Sequence, residues 1–338
     1  MNRPLARRAM LAQTGAVFSA AAVGKTLAAQ DAPASPVGIA TGPSSRTSPS
    51  QARDLSDREP FGYCLNTSTI RGQNLSLVEE LEIAARAGYR GVELWVREID
   101  QYVAGGGSLA DLAKRIKDLG LSVESVIGFS EWIVDDDARR AKGMEEARRC
   151  MEITLAIGGH RLAAPPAGAT DVMGFDLHKA ADRYRELLVL GERIGVVPQL
   201  EVWGFSKTLS RLGEAAQVAI EANHAQACIL PDVYHLYKGG SEFAGLRVLS
   251  GTSIHVFHVN DYPSTPARSE IVDAQRVFPG DGVAPLVDIF RDLRAMGFRG
   301  MLSLELFNRD YWQQDAFAVA QKGLVKMRSL VEKSAGQA

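Results

Sequence analysis

Four residues in the second half of the chain could together bind a metal ion and move protons. They are three acids and one histidine, each inside a short apolar segment: Glu201, Asp232, His258 and Glu305. Three carboxylates in a confined site repel one another and cannot all remain ionised without a counter-charge. A divalent cation would supply that charge. Oxygen ligands with one imidazole favour Mn²⁺, with Mg²⁺, Co²⁺ or Zn²⁺ as alternatives.

The pattern of the chain from Phe61 onward predicts eight strands that alternate with helices. Leu286, Ile289, Phe290 and Leu293, for example, have the spacing of a helical apolar stripe. Glycines mark the predicted helix ends, at Gly88, Gly120, Gly195 and Gly297. The predicted strands are Phe61–Asn66, Gly91–Val96, Leu121–Phe129, His160–Pro165, Val196–Trp203, Cys228–Tyr234, Ile254–Asp261 and Met301–Phe307.

Eight such units favour a closed (β/α)8 TIM barrel, an α/β fold, over an open doubly wound sheet. An open sheet would also be expected to carry a glycine-rich turn after its first strand, and here that segment is Leu65-Asn66-Thr67-Ser68-Thr69. Alternate strand residues face the barrel interior, so the four candidate residues would converge at the C-terminal ends of strands five to eight. Further inward residues that could line a pocket are Asn66, Glu93, Trp95, Glu124, Trp203 and Asn260.

Four strand-end segments resemble those of the xylose-isomerase-like barrels, which include the D-tagatose 3-epimerase, hydroxypyruvate isomerase and inosose dehydratase families. The segments are Leu200-Glu201-Val202-Trp203, Pro231-Asp232-Val233-Tyr234-His235-Leu236, Phe257-His258-Val259-Asn260-Asp261 and Ser303-Leu304-Glu305-Leu306. Each segment is short, and their order and spacing carry the resemblance. It extends over essentially all of the chain from Phe61 to about Val331, and we expect residues 60–334 to form the barrel.

The resemblance implies a role for each residue of the site. Glu201, Asp232, His258 and Glu305 would bind one metal ion, and Glu201 and Glu305 would also move protons on opposite faces of a bound sugar. His235 and Arg276 would bind substrate oxygens, and we expect Glu93, Trp203 and Asn66 to line the same pocket. A regular strand would put positions 232 and 235 on opposite faces, so the role of His235 requires the chain to turn at Tyr234.

The chemistry that this set implies is proton transfer beside a carbonyl group. The metal would polarise the carbonyl, one carboxylate would remove the neighbouring proton, and the metal would hold the enediolate. Return of the proton to the same carbon from the other side epimerises the substrate, and return to the neighbouring carbon isomerises it. Loss of the adjacent hydroxyl group dehydrates the substrate. We therefore expect a sugar isomerase or epimerase acting on a free ketose, keto-sugar or cyclitol, with a dehydratase or lyase as the alternative.

Two other functions fit the same fold. A barrel that binds a sugar without turning it over is one of them. The other is DNA repair, because the fold also includes endonuclease IV. That enzyme needs additional histidines for a cluster of three zinc ions. The second and third predicted strands end in Glu93-Leu94-Trp95 and Gly128-Phe129, which contain no histidine. A formal net charge of −2 and a pI near 6.3 also argue against a nucleic-acid partner.

The N-terminal segment predicts export from the cytoplasm. Arg7 and Arg8 precede a short uncharged run, which resembles a twin-arginine signal over residues 1–29. The run is too short to span a membrane, so no stable membrane insertion is expected. Residues 30–59 are rich in Ala, Pro, Ser, Gly and Thr and predict a disordered linker. We therefore expect an exported protein, periplasmic or otherwise extracytoplasmic, with a small carbohydrate as its partner. The sequence does not decide whether the chain forms a homo-oligomer.

Overall fold

The computed structural model describes residues 59–336, so the predicted export signal and the linker up to residue 58 lie outside the described residues. Within this range the chain forms eight strands and nine α-helices. The strands are β1 (Gly62–Asn66), β2 (Gly91–Trp95), β3 (Ser122–Ile127), β4 (Arg161–Ala164), β5 (Val197–Glu201), β6 (Ile229–Leu230), β7 (Val256–Val259) and β8 (Met301–Leu304). The helices are α1 (Leu77–Ala87), α2 (Val96–Ala104), α3 (Leu109–Asp118), α4 (Asp137–Ala156), α5 (Leu177–Ile194), α6 (Leu212–Glu221), α7 (Val233–Gly239), α8 (Leu286–Ala295) and α9 (Ala316–Ala335).

The eight strands are parallel and lie in the order β6-β5-β4-β3-β2-β1-β8-β7. The two ends of this sheet meet through single bridges, Ile229 with Ile254 and Asp232 with His258. The sheet is therefore a nearly closed barrel with its helices outside, and the predicted TIM barrel is confirmed. Among the helices of the described part of the chain, none has the length and apolar content needed to cross a membrane.

Two apolar clusters show how the strand residues are divided between the two faces of the barrel. Leu302 and Leu304 belong to the large cluster between the sheet and the helices, whereas Met301 belongs to a small cluster of strand residues. The small cluster fills the barrel interior with Cys64, Trp95, Ile127, Ala163, Leu230, Val256 and Met301. Because side chains alternate along a strand, Ser303 and Glu305 share the inward face with Met301, as the pattern predicted. The three cysteines are buried free thiols.

Local sequence signals start the helices, and the predicted glycines end four of them. Helix α1 begins at a capping box in which Ser76 and Glu79 satisfy each other's backbone N–H groups. The four glycines predicted at helix ends all have positive φ, between 69° and 99°. This left-handed conformation favours glycine, so these glycines fix where the chain turns back into the next strand.

The sixth strand differs from its prediction, because it ends at Leu230 rather than at Tyr234. Asp232 is the N-cap of helix α7, and its side chain accepts a hydrogen bond of 2.7 Å from the backbone N–H of His235. This cap starts a helix at Val233, although Val and Tyr favour strands by themselves. Residues 232 and 235 are thereby three apart across the start of a helix, so they lie on one side of the chain.

Candidate metal centre and active site

Three of the four predicted metal ligands meet at the C-terminal ends of the last strands. Asp232 follows β6, His258 lies on β7 and Glu305 follows β8, and all three side chains are buried. One ligand atom from each lies within 4.8 Å of the others. The Nδ1 atom of His258 is 3.3 Å from Oε2 of Glu305 and 3.8 Å from Oδ2 of Asp232. This group could hold a metal ion.

The other ring nitrogen of His258 faces Glu93 on β2. Its Nε2 atom lies 3.0 Å from Oε2 of Glu93, which also accepts a hydrogen bond from the hydroxyl of Ser303. Burial alone would lower the pKa of His258, but the carboxylates of Glu93 and Glu305 raise it well above its usual value. A carboxylate in the position of Glu93 fixes the tautomer and the orientation of a metal-binding histidine. The structure thus places Glu93, expected from sequence among the substrate-binding residues, behind His258.

Two buried atoms without a hydrogen-bond partner in the described part of the chain suit a cation. They are Nδ1 of His258 and Oε2 of Glu201, at the end of β5. Glu201 is not in the group of three. Burial and the nearby carboxylates of Glu305 and Asp232 raise the pKa of Glu201 to about 8, although His258 lowers it. Buried polar atoms are rarely left unsatisfied, and imidazole with carboxylates is a donor set that binds divalent metals. The residues therefore fit the predicted cation.

Arg276 lies against the same carboxylates with its side chain 1% exposed. Its Nη1 atom donates to Oδ2 of Asp232 at 3.0 Å and to Oε2 of Glu305 at 2.9 Å, and Nη2 pairs with Asp273. Asp261, which follows β7, holds the next loop by accepting hydrogen bonds from backbone N–H groups, including those of Gly280 and Gly282. The structure brings Arg276 to the site as expected, and its bonds go to the candidate ligands.

His235, in the first turn of α7, is the next polar group at this edge. Its Nε2 atom lies 3.2 Å from Nη2 of Arg276, which can only donate. Burial lowers the pKa of His235, so the ring is neutral and its proton belongs on Nδ1. That atom is buried and lacks a hydrogen-bond partner among the described residues. It could donate to a substrate oxygen.

Asn66 and Asn260, both expected near the pocket, are bonded to protein groups. The amide of Asn66 donates to Oε1 of Glu305 at 3.2 Å and accepts from the indole N–H of Trp95 at 2.8 Å. The amide of Asn260 donates to Oδ2 of Asp232 at 2.8 Å. Both side chains therefore hold carboxylates of the site in place.

Aromatic side chains form one side of the mouth. We call five of them the aromatic wall: Phe307, Trp95, Phe129, Trp203 and Phe205, in spatial order. Trp95 and Trp203 were expected to line the pocket, whereas the three phenylalanines were missed. Sequence reasoning also missed Arg71, whose guanidinium lies 3.9 Å from the centre of the Trp95 ring. The signal for Phe205 was its place directly after Trp203-Gly204, in a loop that follows a barrel strand.

Glu124 is a predicted pocket residue that the structure places elsewhere. It accepts a hydrogen bond from Ser122 at the start of β3 and lies 3.8 Å from Arg161 at the start of β4. The side chain of Glu124 also packs against Gly91, the first residue of β2. Glu124 therefore lies at the N-terminal end of the barrel, opposite the site. It was predicted wrongly as a pocket residue because the inward register of a strand residue does not say at which depth of the barrel its side chain lies.

Comparison with known proteins agrees with this fold. A family model described as the xylose isomerase-like TIM barrel matches residues 81–330, and the chain belongs to this family. An inosose isomerase from Bacillus velezensis is 26% identical over 262 residues, 75% of this chain and 91% of that protein. A 3-dehydroshikimate dehydratase from Pseudomonas aeruginosa is 27% identical over 268 residues, which are 77% of this chain and 40% of the relative's length.

Among solved structures, the IOLI protein, described with a bound zinc atom, superposes with a TM-score of 0.76 at 22% identity. The match covers 82% of this chain and 100% of that protein. At this identity the likeness supports the barrel fold. The two curated relatives are named as an isomerase and a dehydratase.

Proposed function

We propose that this protein is a divalent-metal-dependent isomerase or epimerase of an unphosphorylated keto-sugar, ketose or cyclitol. The observation that carries the proposal is the buried set of Asp232, His258 and Glu305, with a partnerless oxygen of Glu201 beside it. The relationship to an inosose isomerase supports a carbocyclic or sugar-like substrate. Mn²⁺ is the ion we expect from the donor set, held by Glu201, Asp232, His258 and Glu305.

Two carboxylates are enough to move a proton across one carbon atom. A divalent cation bound at this site would polarise the substrate carbonyl and offset negative charge that develops next to it. In our proposal one of Glu201 and Glu305 removes the proton next to the carbonyl, and the other returns a proton. Return to the same carbon from the other face gives the epimer, and return to the former carbonyl carbon gives the isomer.

The remaining residues of the site would bind and orient the substrate. The Nδ1–H of His235 is available to a hydroxyl or carbonyl oxygen. Arg276, which is buried and charged, would add a fixed positive charge beside Glu305. Burial among these groups keeps bulk water from the reacting carbon, which strengthens each electrostatic contact.

Dehydration is the second candidate function, and the P. aeruginosa relative favours it. The same proton removal would then be followed by loss of a hydroxyl group on the next carbon, with a donor such as His235 or the second glutamate protonating the leaving oxygen. Water would be released, and the product would gain a C=C bond. The two candidates therefore differ in the mass of the product.

The test is solvent-deuterium exchange over a panel of ketoses, keto-sugars and inososes with Mn²⁺ present, followed by mass spectrometry. Epimerisation or isomerisation adds one deuterium at unchanged composition, whereas dehydration removes one water. Glu201→Gln and Glu305→Gln should each lower the rate by at least ~10²–10⁴-fold. Glu124→Gln, a buried glutamate at the other end of the barrel, is the matched control and should keep its activity. Near-normal turnover in both site variants would contradict the two-carboxylate mechanism.

We also propose that the protein acts outside the cytoplasm, in the periplasm. The paired Arg7 and Arg8 before a short uncharged run support this proposal. Replacing both arginines by lysine should leave precursor in the cytoplasmic fraction. Unchanged export would remove the twin-arginine assignment without affecting the proposed reaction.

A further inference from the structure

The aromatic wall is continuous from the buried part of the site to its rim. Neighbouring rings have centroids between 5.1 and 6.1 Å apart. The row ends at His235, whose ring centroid is 5.7 Å from that of Phe205. An occupant of the wall would therefore be in contact with the proposed reaction centre.

The rings of the wall stand at an angle to one another. Neighbouring ring planes differ by 31° to 86°. Elsewhere in the described residues, Tyr237 and Tyr262 stack face to face at 9°, so each of those rings covers a face of the other. The rings of the wall do not cover each other in this way, and the exposed side chains of Phe129 and Phe205 keep part of their surface open to a flat ligand.

Exposure varies between the members of the wall, and two of its phenylalanines are open to solvent. Trp95 is 6% exposed, whereas Phe129 is 47% and Phe205 43% exposed. The loop after β4 adds two more exposed apolar residues, Val172 and Met173. The loops after β3 and β5 thus present exposed phenylalanines in the wall, and the loop after β4 is bonded to the β5 loop through the backbones of Thr170 and Lys207. A cluster of this kind beside a polar site marks a place where an apolar group binds.

The loop that carries Phe205 is held in place by several contacts. The backbone N–H of Trp203 donates to Leu209 at 3.0 Å, and that of Lys207 donates to Thr170 at 2.6 Å. Leu209 is fully buried at φ +54°, a conformation that costs a non-glycine residue free energy and persists only where its surroundings impose it. At Gly204 a Cβ atom would come within 2.1 Å of the carbonyl oxygen of His235, so the loop packs directly on α7. The exposure of Phe205 therefore belongs to an ordered structure.

We propose that the substrate is a keto-sugar or keto-cyclitol ring that carries a flat, apolar aryl substituent. The polar ring lies over the carboxylates and His235, and the aryl group packs on Phe129 and Phe205 at the rim. This inference rests on the proposed function for the identity of the polar ring. It adds that one end of the substrate is aromatic, since a small free sugar would leave the rim phenylalanines in water.

The test is calorimetric binding of phenyl and methyl β-D-glucopyranoside to the Mn²⁺-loaded full-length protein. Neither compound has a carbonyl group, so binding is measured without turnover and does not depend on the isomerase and dehydratase assays. The phenyl compound should bind at least about tenfold more tightly, because an aryl group buries far more apolar area than a methyl group. Phe129→Ala and Phe205→Ala should each reduce this preference to below about threefold. Ile220→Ala, an exposed apolar residue on α6, is the control and should keep it.

Three results would overturn the inference. One is equal or undetectable binding of both glucosides by the wild-type protein. Another is a phenyl preference that survives in both phenylalanine variants. The third is a change in the oligomeric state of those variants, measured by light scattering, while the phenyl preference is unchanged. The exposed phenylalanines would then form a contact between copies of the chain. If the protein turns over no substrate of the panel but still prefers the phenyl glucoside, the proposed reaction is wrong and the aryl-binding inference stands.

Discussion

The carboxylate of Glu93 lies 3.0 Å from Nε2 of His258, and both side chains are fully buried. The opposite ring nitrogen faces Asp232 and Glu305. Glu93 is therefore placed to act on the candidate metal centre through His258, and we expect it to be a positioning residue. Ser303 and Asn66 hold Glu93 in turn, since both donate hydrogen bonds to its Oε2 atom.

Glu93→Gln should weaken Mn²⁺ binding by about 10–100-fold, because an amide holds the imidazole less well and lowers its basicity. The measurement is metal titration against a chelator of known affinity. Activity should fall at limiting Mn²⁺ and recover largely at saturating Mn²⁺, which a direct role in proton transfer would not allow. Glu124→Gln, on the neighbouring strand but at the far end of the barrel, is the control. Unchanged metal affinity in Glu93→Gln would contradict this role.

The sequence was sufficient to predict the barrel and its inward register. Glycines with positive φ and alternating strand residues are local signals, and each acts where it stands in the chain. The depth of a residue along the barrel is not local. Glu93 and Glu124 are both inward glutamates, yet one contacts His258 and the other lies by Arg161 at the opposite end.

Contacts between loops were also beyond prediction from sequence. Phe205 was missed because its own segment gives no sign of the contact that holds its loop, the hydrogen bond from Lys207 to Thr170 in the loop after β4. The extent of β6 was predicted wrongly for a related reason. Val233 and Tyr234 have strand-forming side chains, but the cap that Asp232 makes with the N–H of His235 starts a helix there. At β6 a specific hydrogen bond overrides an average preference.

Glu80 provides a test of stability against pH away from the site. Its side chain is buried on α1, and burial, with Glu98 nearby, raises its pKa to about 9 despite Arg71 and Arg97. The folded protein therefore keeps a proton that the unfolded chain releases above its ordinary pKa of 4.5. Stability from this group is complete below about pH 4.5 and is lost as the pH rises toward 9.

Glu80→Gln should accordingly be as stable as the wild type near pH 5 and more stable at pH 8. The neutral amide has nearly the same shape as the protonated acid and has no charge to bury. Urea unfolding of both proteins across this range measures the difference directly. Glu82→Gln on the same helix, exposed and paired with Arg115 at 2.9 Å, should change stability little at any pH. A stability difference at position 80 that does not grow with pH would show that the buried group is ionised.

Arg276 should matter most to the protein when no metal is bound. Its guanidinium pairs with the buried carboxylates of Asp232 and Glu305 and with Asp273, and these charges together raise its pKa in spite of burial. Removing one partner of a buried ion pair costs about 3–5 kcal/mol, because the other charge stays buried without compensation. We therefore expect Arg276→Gln to lower the free energy of unfolding by about this amount in the presence of EDTA.

Added Mn²⁺ should restore much of that loss, since a bound cation offers Asp232 and Glu305 a new counter-charge and stabilises only the folded state. The rise in melting temperature on adding Mn²⁺ should thus be larger for Arg276→Gln than for the wild type. Arg309→Gln, an exposed arginine after β8, controls for loss of a positive charge and should behave like the wild type. If Arg276→Gln loses the same stability with and without Mn²⁺, the guanidinium and the metal do not neutralise the same carboxylates. Arg276 would then act on the substrate or on Asp273 alone, and the variant should show a raised KM at unchanged metal affinity.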